Sequence, residues 1–210
     1  MTSAGIVLAG GRSSRMGTPK AGLEWHGSTL LRRTVEVLAQ AVDGPVLVVA
    51  APGQGLPALP GGVRVVTDPE PAGRGPVVGL ATGLRAAGEL GAATAFCCAT
   101  DLPFLHPAYV RRVLAALTGD DVDVALPHVG GHRQPLAAGY LTSLAPTLAA
   151  MSEAGELRLG ALFPKVRTRE LTPATLLADP DLARADPHLE SVTNVNSPDD
   201  YAAARSRPRP

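Results

Sequence analysis

With 210 residues, 45% of them hydrophobic and 18% charged, the chain is long enough to bury about 70% of its unfolded surface without a disulfide scaffold. Gly 23 and Pro 20 stay below the low-complexity range, so disorder, collagen and coiled coil are excluded. Lys+Arg 19 balance Asp+Glu 19 and aromatic residues make up 3%, which supplies neither the positive field of a dedicated DNA or anionic-membrane binder nor a base-stacking surface; any polyanion handled here is expected to be small and held locally.

In chain order, residues 4–9 form a short apolar run ending at Gly10-Gly11, and residues 29–42 place Leu30, Leu31, Val35, Leu38 and Ala41 at helical spacing. Residues 46–51 read as a second strand stopped by Pro52-Gly53, and residues 63–67 as a third stopped by Asp68-Pro69. A helix follows over 77–90, with Pro76 in its first turn, where the missing N–H costs nothing. Residues 93–100 make a fourth strand and 107–117 a helix. Shorter strands are expected at 122–126, 136–140 and 166–171, with a helix near 143–154 between the last two. Residues 174–189, carrying Pro180, Pro187 and several Asp, read as loop, and 201–210 as a polar, proline-rich flexible tail.

Continuous hydrophobic strands joined by helices imply an α/β fold in three layers, with a mostly parallel central sheet covered on both faces. Ligands of such sheets bind beyond the carboxyl ends of the strands. Residues 10–20 and Asp101 lie there. Cys97 and Cys98 are neighbours in a strand, so their side chains point to opposite faces and are expected as buried thiols. No run approaches a membrane span and the N-terminus lacks a cleavable hydrophobic signal, so a reducing cytoplasm is the expected location.

The most informative segment runs Leu8-Ala9-Gly10-Gly11-Arg12-Ser13-Ser14-Arg15-Met16-Gly17-Thr18-Pro19-Lys20. Glycines directly after a buried strand let backbone N–H groups converge on an anion, and three cations follow within nine residues. A Walker loop fails, because Thr18-Pro19 follows Gly17, and the Rossmann fingerprint fails for want of its third glycine. The run resembles the L-A-G-G-x-S-x-R-M-G-x-x-K signature of the MobA-like nucleotidyltransferases. Its double glycine is most similar to the molybdenum cofactor guanylyltransferases, since related cytidylyltransferases more often carry L-A-A-G. The resemblance implies that Leu8, Ala9 and Gly10 line the base and ribose of GTP, that Gly11 belongs to the same GTP-binding run, and that Arg15 and Lys20 meet the phosphates. Thr18-Pro19 departs from the family, which usually has Asp just before the lysine.

Thr100-Asp101-Leu102-Pro103 ends the fourth strand, and a carboxylate there faces the phosphate region. The D-x-P pattern is similar to the family's magnesium-binding aspartate, which makes Asp101 the expected ligand of Mg²⁺ and a GTP contact. Asp68 stands where the family has an aspartate associated with the guanine nucleotide, and Gly75-Pro76-Val77-Val78-Gly79 resembles its G-P-x-x-G loop. Val49 replaces an Asn that many members carry near the end of the second strand. Asn194-Val195-Asn196-Ser197-Pro198 puts two amides on one face of an extended segment, suited to a polar heterocycle or a phosphate. It resembles the family's N-V-N-T-P element, and Arg133-Gln134-Pro135 approximates its R-x-H-P. Arg133, Asn194 and Asn196 are therefore the expected acceptor contacts, with Arg158 as a further basic residue. The five histidines show no zinc spacing, and no G-x-S-x-G elbow appears.

The resemblance covers residues 8–198 and implies a single domain over 1–200 of Rossmann-like α/β/α nucleotidyltransferase fold, its N-terminal half binding nucleotide and its C-terminal half the acceptor. The implied reaction joins GMP from GTP to the phosphate of molybdopterin, or of its molybdenum form, with release of pyrophosphate. GTP and molybdopterin would be the substrates, other cofactor-biosynthesis proteins could be partners, and neither nucleic acid nor membrane is expected. Two alternatives remain: a cytidylyltransferase or sugar-phosphate nucleotidyltransferase of the same fold, against which Gly11 and Asn194-Val195-Asn196 speak, and a non-catalytic nucleotide-binding homologue, against which Lys20 and Asp101 speak. Residues 1–33 hold Arg12, Arg15, Lys20, Arg32 and Arg33 against Glu24 alone, so overall neutrality conceals a local cationic segment.

Overall fold

The computed structural model describes residues 1–10, 20–69, 75–119 and 121–207. The first half runs β1 (Ser3–Leu8), β2 (Glu24–Trp25), β3 (Ser28–Thr29), α1 (Leu30–Ala41), β4 (Val46–Ala50), β5 (Arg64–Thr67), α2 (Pro76–Glu89), β6 (Thr94–Ala99) and α3 (Pro107–Ala115). The second half runs β7 (Val124–Val129), β8 (His132–Arg133), β9 (Ala137–Leu141), α4 (Ala145–Glu153), β10 (Thr168–Leu171), α5 (Pro173–Leu177), α6 (Pro180–Ala185) and α7 (Pro198–Arg205).

One sheet carries the order β10-β7-β9-β6-β1-β4-β5, with β8 pairing the end of β7. β1 is parallel to both β4 and β6, β4 to β5, and β10 to β7. β9 runs antiparallel between β6 and β7. The carboxyl ends of β5, β4, β1, β6 and β7 therefore share one edge, in agreement with the mostly parallel sheet expected from the sequence.

Side-chain alternation sorts the core into the two faces the β-period demands. Ala4, Ile6 and Leu8 of β1 pack with Leu80 and Leu84 of α2 and Leu148 of α4, whereas Val7 and Ala9 pack with Val35 and Leu38 of α1 and Val110 of α3. Cys97 and Cys98 fall on opposite faces, both free and fully buried, and burial pushes both thiols up, leaving them un-ionised. At the centre, α2 lies almost on the sheet, because a Cβ on Gly83 would stand 2.7 Å from Ile6 Cγ2 and 3.2 Å from Val49 Cγ2. Neither branched side chain can swing clear. Gly83→Ala is expected to lower the unfolding free energy by about 1–3 kcal/mol, read as a fall in the urea midpoint at unchanged slope.

Three sequence expectations change. The 174–189 loop contains α5 and α6, whose Pro173 and Pro180 occupy the first helical turn while Thr172 and Asp179 cap it. Proline read as a loop signal is here a helix start. The 201–210 tail is helical through Arg205: Ser197 and Asp200 form a capping box, Ala204 is buried, the Tyr201 hydroxyl donates to the Glu24 carbonyl, and Arg205 pairs with Glu24 at 2.5 Å. The β2–β3 hairpin that receives this helix had no counterpart in the sequence reading. It buries Trp25 against Phe104, Val195 and Ala204.

Candidate active site

The site is built on the ends of four adjacent strands. Asp101 follows β6, Ala9-Gly10 follow β1, Ala51 follows β4 and Asp68 follows β5. From β6 to β5 is three inter-strand spacings, about 14 Å. At the β1 end, the Ala9 and Gly10 N–H groups both donate to the Val49 carbonyl, at 2.8 and 3.2 Å. Val49 thus serves the site through its backbone, its side chain being buried against α2.

At one end of this edge, Lys20 Nζ lies 2.9 Å from Asp101 Oδ2 and 3.3 Å from Asn196 Oδ1. Residues drawn from three distant stretches of sequence meet there. The Lys20 and Asp101 side chains are only 18% and 15% exposed, so their attraction is less screened than at the open surface. Asp101 Oδ1 is buried with no hydrogen-bond partner among the described residues, an acceptor that a ligand could satisfy. The Val195 N–H donates to the Asp101 carbonyl at 3.0 Å, and buried Val195 turns the exposed Asn194 and Asn196 to one side. Asp200 accepts the Asn196 and Ser197 N–H groups at 3.0 and 2.9 Å, which holds its carboxyl below the ordinary value.

At the other end, the segments around Leu8, Asp68 and Gly79 converge. A Cβ on Gly79 would lie 3.4 Å from both Asp68 Oδ2 and Leu8 Cδ2. Desolvation raises the Asp68 pKa, opposed by a hydrogen bond from Thr82. Asp68 Oδ1 is a second buried acceptor without a partner among the described residues. Gly75 caps α2 at φ +90°, a left-handed value that glycine adopts without strain.

The expected acceptor residues are less united. Asn196 belongs to the Lys20–Asp101 cluster, whereas Asn194 Nδ2 donates to the Val192 carbonyl at 3.4 Å. Arg133 stands at the far end of the same edge, on β8. Its Nε lies 2.8 Å and its Nη2 2.6 Å from Glu170 Oε1, and its guanidinium lies 6.0 Å from the Phe163 ring centre. Arg158 is exposed ahead of a 3₁₀ turn. Gly11 and Arg15, with Arg12, Thr18-Pro19 and Gly73-Arg74, lie outside the described residues. Among the described residues, no cluster of three or more His, Cys, Asp or Glu could hold a metal unaided. No helix is long and apolar enough to cross a membrane.

Sequence reasoning passed over Gln54, Thr82 and Glu170. Gln54 sat in a Pro-Gly turn read only as a strand stop, and Thr82 in a helix read only for its apolar face. Nothing local in the sequence marks Glu170 as the partner of Arg133, 37 residues earlier.

Known proteins share this chain's sequence pattern and its fold. Residues 5–167 match the family model described as the MobA-like NTP transferase domain. A probable molybdenum cofactor guanylyltransferase of Mycobacterium bovis is 44% identical over 161 residues, covering 76% of this chain and 78% of that protein. The molybdopterin-guanine dinucleotide biosynthesis protein A of Archaeoglobus fulgidus superposes with a TM-score of 0.75 over 97% of both chains at 19% identity. A Mycobacterium tuberculosis protein solved as a complex with manganese superposes at 0.58, with 21% identity, over 82% of this chain and 88% of that one. The two structural likenesses speak for the fold. The family model and the mycobacterial relative go further: the model's matched stretch contains the glycine-rich strand end, Lys20, Asp68 and Asp101 together, the relative is 44% identical over three quarters of the chain, and the chain belongs to the MobA-like NTP transferase family.

Proposed function

We propose that this protein transfers GMP from GTP to the phosphate of molybdopterin or its molybdenum form, making the guanine dinucleotide and releasing pyrophosphate. The observation that carries this reading is the meeting of Lys20, Asp101 and Asn196 at the strand edge beside Ala9-Gly10, which joins an expected phosphate contact, an expected metal ligand and an expected acceptor contact. The activity is the one for which the mycobacterial relative is named.

In this reading the base lies toward Leu8, Gly79 and Asp68, where the unpartnered Asp68 oxygen suits the N–H donors that guanine presents on its Watson–Crick edge. The triphosphate lies toward Lys20 and the loop bearing Gly11 and Arg15. An acceptor phosphate oxygen forms a bond to the α-phosphorus of GTP as the bond from that phosphorus to the bridging oxygen of pyrophosphate breaks. The nucleophile is already an anion, so positioning and charge neutralisation supply most of the rate. Asp101 fits a divalent ion, since its free Oδ1 is the kind of hard oxygen that Mg²⁺ takes together with phosphate oxygens. A Mg²⁺ bound there would neutralise charge on the α-phosphate and the leaving group. Asn194, Asn196 and Arg133 hold the acceptor. The two buried free thiols suit a reducing cytoplasm.

The test is calorimetry with all four nucleoside triphosphates, with and without Mg²⁺, followed by pyrophosphate release on adding molybdopterin. GTP is expected to bind most tightly and to turn over only with the acceptor. Tightest binding of CTP, or binding of GTP without turnover, would overturn the assignment.

A further inference from the structure

We infer that Gln54 is a positioning residue for nucleotide binding, acting by locking the peptide from which the glycine-rich loop departs. The inference rests on the reading above, in which Leu8, Ala9 and Gly10 line the nucleotide. The peptide between Ala9 and Gly10 is held at both of its polar ends. Its N–H donates to the Val49 carbonyl at 3.2 Å, and its carbonyl accepts from Gln54 Nε2 at 2.9 Å. Gln54 Oε1 in turn accepts the Ala51 N–H at 3.0 Å. The amide therefore cannot be reversed, because a flipped amide would face oxygen to oxygen at Ala9 and N–H to N–H at Ala51.

The backbone around Gln54 is built to present that amide. Its own N–H donates to the Ala51 carbonyl at 3.1 Å, closing the turn Ala51-Pro52-Gly53-Gln54. Proline at the second position and Gly53 at φ +69° in the third are the residues that a type II turn requires. The turn returns the chain to β4's end with the side chain aimed across at β1, spanning 45 residues of sequence. The lock fixes the orientation of the Ala9–Gly10 peptide itself, at the carboxyl end of β1 where an anionic ligand of such a sheet binds.

A contact that shapes the loop holds bound substrate and transition state alike, so its loss raises KM while leaving kcat. A residue that merely staples two loops would, when lost, lower thermal stability by many degrees, or lower kcat as well as raise KM through a loosened site. Two substitutions separate these cases. Gln54→Glu keeps the length and the acceptor for Ala51 but loses the donor to Ala9, and Gln54→Met keeps the length with neither, introducing no charge. Both are expected to raise the GTP Kd and KM about five- to tenfold, because the nucleotide must then re-order a peptide that is no longer held, with kcat within about twofold and a fall in melting temperature of no more than the few degrees that one or two hydrogen bonds are worth. Lys20→Ala serves as the reference, measured by GTP calorimetry in the same buffer. If Lys20→Ala weakens GTP binding and both Gln54 variants bind it like wild type, or lose kcat by more than about tenfold together with a melting-temperature fall beyond what two hydrogen bonds are worth, the role given to Gln54 is wrong and the site stands. If Lys20→Ala itself leaves GTP affinity unchanged, the site assignment fails first and the Gln54 inference falls with it.

Discussion

Asp101→Asn is expected to lower turnover on the order of 10²-fold or more, the usual cost of removing an electrostatic group at a site of developing charge, while leaving the fold intact. The substitution is nearly isosteric, and the Asp101 backbone carbonyl that anchors Val195 is untouched. What changes is the charge available to a cation and to Lys20. The loss should deepen as Mg²⁺ is made limiting, and paramagnetic resonance of Mn²⁺ added with GTP should show less bound metal. Wild-type turnover at saturating GTP and limiting Mg²⁺ would show that Asp101 is not the metal ligand.

Lys20→Met is expected to act in opposite directions on two ligands. Lys20 Nζ sits 2.9 Å from Asp101 Oδ2, so a divalent ion approaching that carboxylate meets a cation already there. Deleting the ammonium should raise the affinity of the nucleotide-free protein for Mn²⁺ about tenfold or more, given the strength of charge–charge contacts at this distance in a partly buried site. The same substitution should weaken GTP binding and slow turnover, since the ammonium is the expected phosphate contact. A triphosphate that draws Lys20 toward itself would uncover Asp101, making metal binding stronger with nucleotide than without it. Titrating Mn²⁺ into wild type and variant, each with and without GTP, checks both signs. A variant with unchanged metal affinity in the nucleotide-free state would mean that the ion pair offers no competition.

The sheet and its functional edge were legible because buried parallel strands announce themselves. The runs that became β1, β4 and β6 are continuous and apolar, bounded by Gly-Gly, Pro-Gly and Asp-x-Pro. Asp68, Asp101 and Lys20 were visible for the same reason: each sits at the end of a readable element or inside a motif. The meeting of Leu8 with Asp68 and Gly79 was not visible as a contact, because it depends on strand order, which periodicity does not encode. Gln54 and Glu170 are functional candidates only once the neighbours of β4 and β7 are known. The β2–β3 hairpin escaped because each strand is two residues long, too short for alternation to show. Helices α5 and α6 escaped because proline carries two opposite meanings, and only the preceding Thr172 and Asp179, as capping residues, tell them apart.

The contact between Lys20 and Asn196, across 176 residues, has a consequence for how the protein comes into being. A ribosome delivers the glycine-rich loop early and the Asn-Val-Asn segment last, and the helix that braces that segment packs on the Glu24–Thr29 hairpin made long before. The nascent chain can therefore form most of its parallel sheet while Lys20 still lacks its contact with Asn196. Long-range closure of this kind is slow and comes late in folding. In the reading proposed above, the Lys20–Asp101–Asn196 cluster is complete only once residue 196 and the helix behind it have emerged, so a chain interrupted before that point would hold Lys20 and Asp101 without their third member.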